Sequence, residues 1–98
     1  MPARRNRMPG RTSKPPHELI ASRLVLLRGA LGQDNQAAFA AKAGLSQSRY
    51  NQYESGERPL TLDAALKLRK AYGVTLDWLF TGDRHGLPQA IWAILPPE

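Results

Sequence analysis

The sequence predicts an all-α domain built from five short helices. Apolar residues recur with the 3.6-residue period of a helix, and no stretch of useful length alternates between apolar and polar residues as a strand would. Gly and Pro residues separate the periodic segments. The chain has 98 residues, of which 42% are hydrophobic, so it has room for one small domain with a real core.

The first helix is predicted over about residues 17–31, directly after Pro15 and Pro16. Its apolar residues fall on one helical face: Ile20, Leu24, Leu27 and Leu31. Glu18 lies in the first turn, where the helix dipole favours an acidic side chain. Arg28 borders the apolar face, and we therefore expect its guanidinium to have a partner.

Two more helices follow, with a tight turn between them. Asn35 suits the N-cap of a second helix over about residues 36–43, and Ser46 suits the N-cap of a third over about residues 47–55. Gly44 lies between the two helices and can adopt the positive φ that a left-handed turn requires. The second helix is rich in Ala, which is small enough to let another helix approach closely.

The fourth and fifth helices are delimited in the same way. Thr61 suits the N-cap of the fourth helix and Gly73 ends it, whereas Thr75 and Gly82 delimit a short fifth helix. In the fourth helix we expect the following residues on or beside the buried face: Leu62, Ala65, Leu66, Leu68 and Ala71.

The second and third helices together predict a helix-turn-helix unit over residues 36–55. Its steric requirements are met by Phe39 and Leu45 in the angle between the helices, Ala40 at the crossing, Gly44 in the turn, and Tyr50 and Tyr53 on the inner face of the third helix. The alternative is an ordinary pair of antiparallel helices inside a bundle, which does not need all of these positions to match.

These residues resemble the Cro and phage-repressor family of helix-turn-helix domains, often called XRE. The resemblance is carried by NQAAFAAKAGLSQSRYNQYESGERP and LRKAYGVTLDWLFTGD and covers about residues 20–83. It implies a five-helix, lambda-repressor-like domain that binds DNA, often as a dimer on a near-palindromic site. The sequence departs from the family pattern in a first connection about one residue longer than the commonest form, and in Tyr50, where an aliphatic residue is more usual.

Side chains that could read DNA bases lie on the third helix, opposite Tyr50 and Tyr53. They are Gln47, Ser48, Asn51 and Gln52. Asn and Gln amides can form paired hydrogen bonds with adenine in the major groove, and Ser can donate or accept one bond. The resemblance implies base contacts at the positions of Gln47, Ser48 and Gln52. The alternative is that these side chains are simply solvated.

Three further residues are candidates for contacts with the DNA backbone. The resemblance implies that the position of Gln36 holds a phosphate at the start of the second helix. Arg49 and Arg58 are cationic candidates for the same role, and Arg49 could instead reach a guanine.

Arg28 and Glu54 are predicted to form a structural ion pair. Glu54 lies four residues after Tyr50, at the edge of the inner face of the third helix. Domains similar to this one pair an Arg of the first helix with a Glu at this position, and a bidentate pair would anchor the end of the third helix. The alternative is an exposed Glu54 without a partner.

The net charge of +6 is unevenly distributed along the chain. Residues 1–16 contain five Lys or Arg, no acid and four Pro, whereas residues 17–98 carry a net charge of only +1. We expect residues 1–16 to be a disordered basic arm, because they have too few apolar side chains to offset the entropy cost of folding. The arm could follow the DNA backbone or enter a minor groove, or it could be a solubilising tail.

Residues 17–83 are predicted to form the domain, and residues 84–98 a short apolar tail that could hold one or two helical turns. The tail contains AIWAIL, which should not remain in water. It could cover the core of its own protomer or meet a second copy of the chain. In the second case the candidates for the dimer interface are Leu79, Phe80, Ile91 and Trp92.

The composition argues against an enzyme. His17 and His85 show no metal-ligand spacing, there is no Cys, and no Gly-rich phosphate loop follows a strand. We therefore expect no catalysis, no metal and no cofactor. The longest apolar run has six residues and no apolar stretch follows the basic N-terminus, so we expect neither a membrane span nor a secretory signal, and a cytoplasmic protein.

The leading functional prediction is a small, repressor-like transcriptional regulator that binds a specific double-stranded DNA sequence with its third helix in the major groove. The family resemblance implies that it does so as a homodimer on a near-palindromic site. An antitoxin-like protein that binds both DNA and a toxin protein is the second possibility. A protein–protein adaptor on the same fold is a third, because residues 33–58 have a net charge of zero.

Overall fold

The computed structural model describes residues 16–96, which form six α-helices and no strand. In chain order the helices are α1 (Pro16–Ala30), α2 (Gln36–Lys42), α3 (Gln47–Ser55), α4 (Leu62–Tyr72), α5 (Leu76–Thr81) and α6 (Gln89–Ile94). The predicted all-α fold class is confirmed. The additional helix is α6, which occupies the apolar segment in which one or two helical turns were expected.

The helix boundaries follow from local capping chemistry. The side chains of Asn35, Ser46, Thr61 and Thr75 each accept a hydrogen bond from a backbone N–H in the first turn of the helix that follows. Each cap thereby satisfies a donor that has no partner inside the helix. The predicted N-caps of α2 to α5 are confirmed.

The first helix differs slightly from its prediction. It begins at Pro16, one residue earlier than expected, because a Pro at the first helical position sacrifices no hydrogen bond within the helix. It ends at Ala30, so Leu31 lies beyond it and is only partly buried against the core. Apart from Pro16, the expected basic arm lies outside the described residues.

The core lies where α1 packs against α3 and α5, with α2 against α3 and α4 against α5. Its largest fully buried side chains are Trp78, Tyr50, Phe39, Leu24, Leu27, Leu68, Leu79 and Val74. One charged residue of α1, Arg23, is also buried, and its Nη1 donates to the carbonyl of Leu79 at 3.2 Å. The guanidinium thus joins α1 to the last turn of α5.

The expected inner face of α4 is partly wrong. Leu62 and Leu66 are 60% and 43% exposed, whereas Ala64, Ala65 and Leu68 are buried. Residues four apart share one helical face, so Leu62 and Leu66 lie together on the outer side. The packing of α4 therefore places the smaller Ala residues against the core and leaves two Leu side chains outside it.

The C-terminal helix packs on its own protomer. Leu87, Ile91 and Leu95 are buried, and the guanidinium of Arg84 donates to the carbonyls of Leu95 and Pro96. Leu79 and Ile91, two of the candidates for a dimer interface, are therefore core residues, Phe80 is half-buried, and Trp92 remains 41% exposed. No helix in the described part of the chain is long and apolar enough to cross a membrane.

Candidate nucleic-acid interface

The α2–α3 unit is held at a defined angle by its small and aromatic side chains. Ala40 is fully buried, and the rings of Phe39 and Tyr50 pack with their centroids 5.3 Å apart. In the turn, Gly44 has a φ of 78°, and the N–H of Leu45 donates to the carbonyl of Ala40 at 2.9 Å. A side chain at Gly44 would strain this left-handed backbone, so the turn predicted from the sequence is the one observed.

The helix α4 contacts the α2–α3 unit through Tyr72. Tyr72 stacks on Phe39 with ring centroids 4.2 Å apart, and its hydroxyl donates to the carbonyl of Phe39 at 2.7 Å. The ammonium of Lys42 lies 5.0 Å from the centroid of the Tyr72 ring. Burial raises the pKa of Tyr72 above its ordinary value of 10.0.

The outward face of α3 is polar and uncharged. Gln47, Ser48 and Asn51 are exposed and Gln52 is half-buried, whereas Tyr50 and Tyr53 are turned into the core. The four expected base-reading residues therefore lie on the side of α3 that faces away from the core. This placement follows from the helical period once the two Tyr residues have been buried.

Arg28 and Glu54 form a bidentate ion pair. Arg28 Nε lies 2.9 Å from Glu54 Oε2, and Nη2 lies 2.8 Å from Oε1. The remaining nitrogen, Nη1, donates to the carbonyls of Gln33 and Asp34 at 3.1 and 3.0 Å. One guanidinium thus joins the last turn of α3 to both α1 and the α1–α2 connection.

The surroundings of this pair keep it charged. Burial alone would raise the pKa of Glu54, but the hydrogen bonds from Arg28, with the nearby Tyr50 hydroxyl, hold it below its usual value. The same carboxylate raises the pKa of Arg28. The pKa of Tyr50 is raised mainly by burial and secondly by the nearby Glu54 carboxylate. The Tyr50 hydroxyl acts on this carboxylate electrostatically, but it makes no hydrogen bond of ordinary geometry.

Gln36 belongs to the same network. Its Nε2 donates to Asn51 Oδ1 at 3.2 Å and to Glu54 Oε1 at 3.1 Å. The two N–H groups of the side chain are therefore both engaged within the protein. Sequence reasoning did not find these bonds, because the partners are 15 and 18 residues away.

The cations near α3 lie at its edges and not on its outward face. Arg49 is exposed and lines a polar cleft together with Thr61 and Lys67, where the first turns of α3 and α4 meet. Arg58 is exposed in the α3–α4 connection. Sequence reasoning missed Lys67, whose Nζ lies 3.5 Å from Asp63 Oδ2 across one helical turn.

The described residues contain no group of three or more His, Cys, Asp or Glu side chains that could hold a metal ion. His85 Nδ1 lies 2.7 Å from Asp83 Oδ1, in an exposed turn after α5. Asp83 and His85 are two residues apart in the sequence. Within the described part of the chain, their contacts include no further acid or nucleophile.

Comparison with known proteins identifies the domain. Residues 34–79, which extend from the N-cap region of α2 into α5, match the helix-turn-helix family model. Searches of curated proteins and of solved structures found no match. The matched segment contains the turn, the buried Tyr residues and the outward polar face described above. Residues 34–79 thus form a helix-turn-helix segment of the Cro/C1-type, or XRE, family.

Proposed function

We propose that this protein is a small, repressor-like transcriptional regulator that binds a specific double-stranded DNA sequence with α3 in the major groove. The family match of residues 34–79 implies DNA binding in general. Sequence specificity, the use of α3, repression and a cytoplasmic location are the additional parts of this proposal. Within it, residues 1–16 act as a basic arm and residues 17–83 as the DNA-binding domain.

The observation that carries the proposal is the outward face of α3. Gln47, Ser48 and Asn51 are exposed on a helix whose other side is fixed in the core by Tyr50 and Tyr53. The major groove is about 12 Å wide and admits an α-helix, and amide and hydroxyl groups match the donors and acceptors on base edges. A rigid helix with such a face is suited to reading bases, because the side chains need little further ordering.

The charges around α3 suggest how the protein would be held on DNA. Arg49 and Arg58 lie at the edges of the polar face, with Lys67 near Arg49. We assign Arg49 and Arg58 to phosphate contacts, which position a protein on the duplex without reading its sequence. Because residues 33–58 have no net charge, we assign much of the general attraction to the five cations of residues 1–16.

We further propose that the protein acts as a homodimer on a near-palindromic site. Trp92 remains 41% exposed on α6, beside the face that packs on the core through Ile91 and Leu95. If Trp92 lies in the dimer interface, Trp92→Asp should convert a dimer into a monomer, as measured by light scattering. Leu62→Asp is the matched control, because Leu62 is exposed on α4. A wild-type monomer, or a dimer that survives Trp92→Asp, would argue against this interface.

A second candidate function is an antitoxin-like protein that binds DNA and a partner protein. The observation that favours it is the exposure of Trp92 and Ile94, which are 41% and 42% exposed on α6. Residues 84–98 would then provide the protein contact. A neighbouring gene for a small toxin that binds the purified protein would support this function, and a toxin contact that survives Trp92→Asp would place it elsewhere.

Selection of binding sites from random duplex DNA tests the leading proposal. The purified full-length chain should enrich one sequence motif, with two related half-sites if it binds as a dimer. Gln47→Ala and Gln52→Ala should each relax the preference at particular base pairs, because they remove hydrogen bonds to base edges. Failure of the folded wild-type protein to enrich any motif would refute sequence-specific binding.

A further inference from the structure

A chain of hydrogen bonds leads from α1 to the outward face of α3. Arg28 holds Glu54 in the bidentate pair, Glu54 Oε1 accepts from Gln36 Nε2 at 3.1 Å, and the same nitrogen donates to Asn51 Oδ1 at 3.2 Å. Asn51 is exposed, whereas the Glu54 side chain is only 8% exposed. This series of hydrogen bonds therefore connects the largely buried carboxylate of Glu54 to the side-chain amide of Asn51, which we propose reads a base.

The Glu54 carboxylate determines which group donates and which group accepts in each of these hydrogen bonds. An ionised carboxylate can only accept hydrogen bonds, and the lowered pKa of Glu54 keeps it ionised at neutral pH. Gln36 must therefore present its NH2 group, and not its oxygen, to Glu54. The orientation of a side-chain amide is assigned from its hydrogen bonds. Here the charge of Glu54 allows only one orientation of the Gln36 amide. Since the same nitrogen faces Asn51, Asn51 must turn its oxygen toward Gln36.

We infer that Gln36 is a positioning residue that holds the Asn51 amide with its NH2 group toward the DNA, so that Asn51 selects guanine over adenine. This inference rests on the proposed binding of α3 in the major groove. It assigns to Gln36 a role different from the phosphate contact implied by the resemblance, because both N–H groups of its side chain are engaged by Asn51 and Glu54.

The preference for guanine follows from the groups on the base edges. Guanine presents two acceptors, N7 and O6, whereas adenine presents the N7 acceptor beside the N6 amino donor. A paired contact with adenine would need the Asn51 oxygen to accept from N6, but that oxygen is turned toward Gln36. Thymine offers one acceptor and cytosine a donor, so cytosine should be the least favoured base at this position.

Selection from random duplex DNA with four full-length proteins tests this inference. The base pair read by Asn51 is the one whose preference disappears in Asn51→Ala. At that pair the wild type should prefer guanine over adenine by about fivefold or more, which corresponds to the lower end of the discrimination given by a good paired contact with a base. Gln36→Met keeps the length of the side chain but removes both donors, and it should bring the two bases to within about twofold while the rest of the motif is retained.

Gln33→Met is the matched control, because Gln33 lies in the α1–α2 connection and contributes only its backbone carbonyl to Arg28. It should leave the motif unchanged, and circular dichroism should show that each variant is folded. A wild-type preference for adenine at the Asn51 position would overturn the inference without any need for the Gln36 variant. A guanine preference that survives in Gln36→Met would also overturn it, whereas the absence of any wild-type motif would overturn the proposed function itself.

Discussion

At the scale of single residues, the most informative group is the carboxylate of Glu54. It accepts two bonds from Arg28 and one from Gln36, and it lies near the buried hydroxyl of Tyr50. Arg28 belongs to α1, Gln36 to the start of α2, and Tyr50 to α3. One anion thus connects the position of α3 to the orientation of the side chains on its surface.

Replacement of Glu54 by Ala should destabilise the protein. It would leave the Arg28 guanidinium, which is 19% exposed, without its partner. Loss of one member of a buried pair costs about 3–5 kcal/mol, and because water reaches Arg28 we expect a loss of about 2–3 kcal/mol in the free energy of unfolding. Urea denaturation measures this difference. Glu57→Ala is the control, since Glu57 is exposed and should change the stability by less than about 0.5 kcal/mol.

The same carboxylate should make stability depend on pH. The pKa of Glu54 is lower in the folded protein than the ordinary value of 4.5. Its contribution is therefore complete above about pH 4.5 and is lost as the pH falls through the lowered folded-state pKa. The stability difference between wild type and Glu54→Gln should be larger at pH 7 than at pH 3. An equal difference at both values would show that the charge of Glu54 is not what stabilises the fold.

At the scale of helices, most boundaries are decided by one or two neighbouring residues. The N-caps of α2 to α5 bond to the first turn of their own helix, and Gly56, Gly73 and Gly82 end α3, α4 and α5 with positive φ. Such signals are local, so these four helices could be predicted from the sequence to within about two residues. The outer position of Leu62 and Leu66 could not be predicted in this way, because it depends on which face of α4 packs against the other helices.

Two of these Gly residues allow local strain to be separated from packing. Gly73 and Gly82 have φ of 79° and 84°, but a Cβ would meet nothing within 4 Å at Gly73, whereas at Gly82 it would lie 2.8 Å from Arg23 Nη2. Gly73→Ala should therefore cost about 1 kcal/mol for the backbone alone. Gly82→Ala should cost about 1 kcal/mol more, because Arg23 must shift from its bond to Leu79.

Thermal or urea denaturation of the two variants measures this difference directly. Equal losses of stability would mean that Arg23 moves aside without cost, and that its contact with α5 contributes little.

At the scale of the whole molecule, charge and specificity are assigned to different parts of the chain. Five of the fourteen Lys and Arg residues lie in residues 1–16, whereas the outward face of α3 carries amides and a hydroxyl. Non-specific attraction to DNA depends on the number of phosphates neutralised, and base discrimination depends on hydrogen bonds. The two properties should therefore be separable by truncation.

Removal of residues 1–15 should weaken DNA binding mainly at low salt. Pro16 begins α1, so this truncation leaves the first helix intact. Each phosphate contact that is lost should reduce the slope of log K against log salt concentration by about 0.9. The selected motif should not change. An unchanged slope would show that the basic residues are not in contact with the DNA.

The sequence by itself determined the all-α class, the helix-turn-helix unit, its turn at Gly44 and the polar face of α3. These features depend on helical period and capping, which act over a few residues. Only the tertiary structure decided that α6 packs on its own protomer, that Leu62 faces outward and that Gln36 bonds to both Asn51 and Glu54. Those outcomes depend on how separate helices meet, and the direction of the amides depends on a carboxylate brought to them from a distant part of the chain.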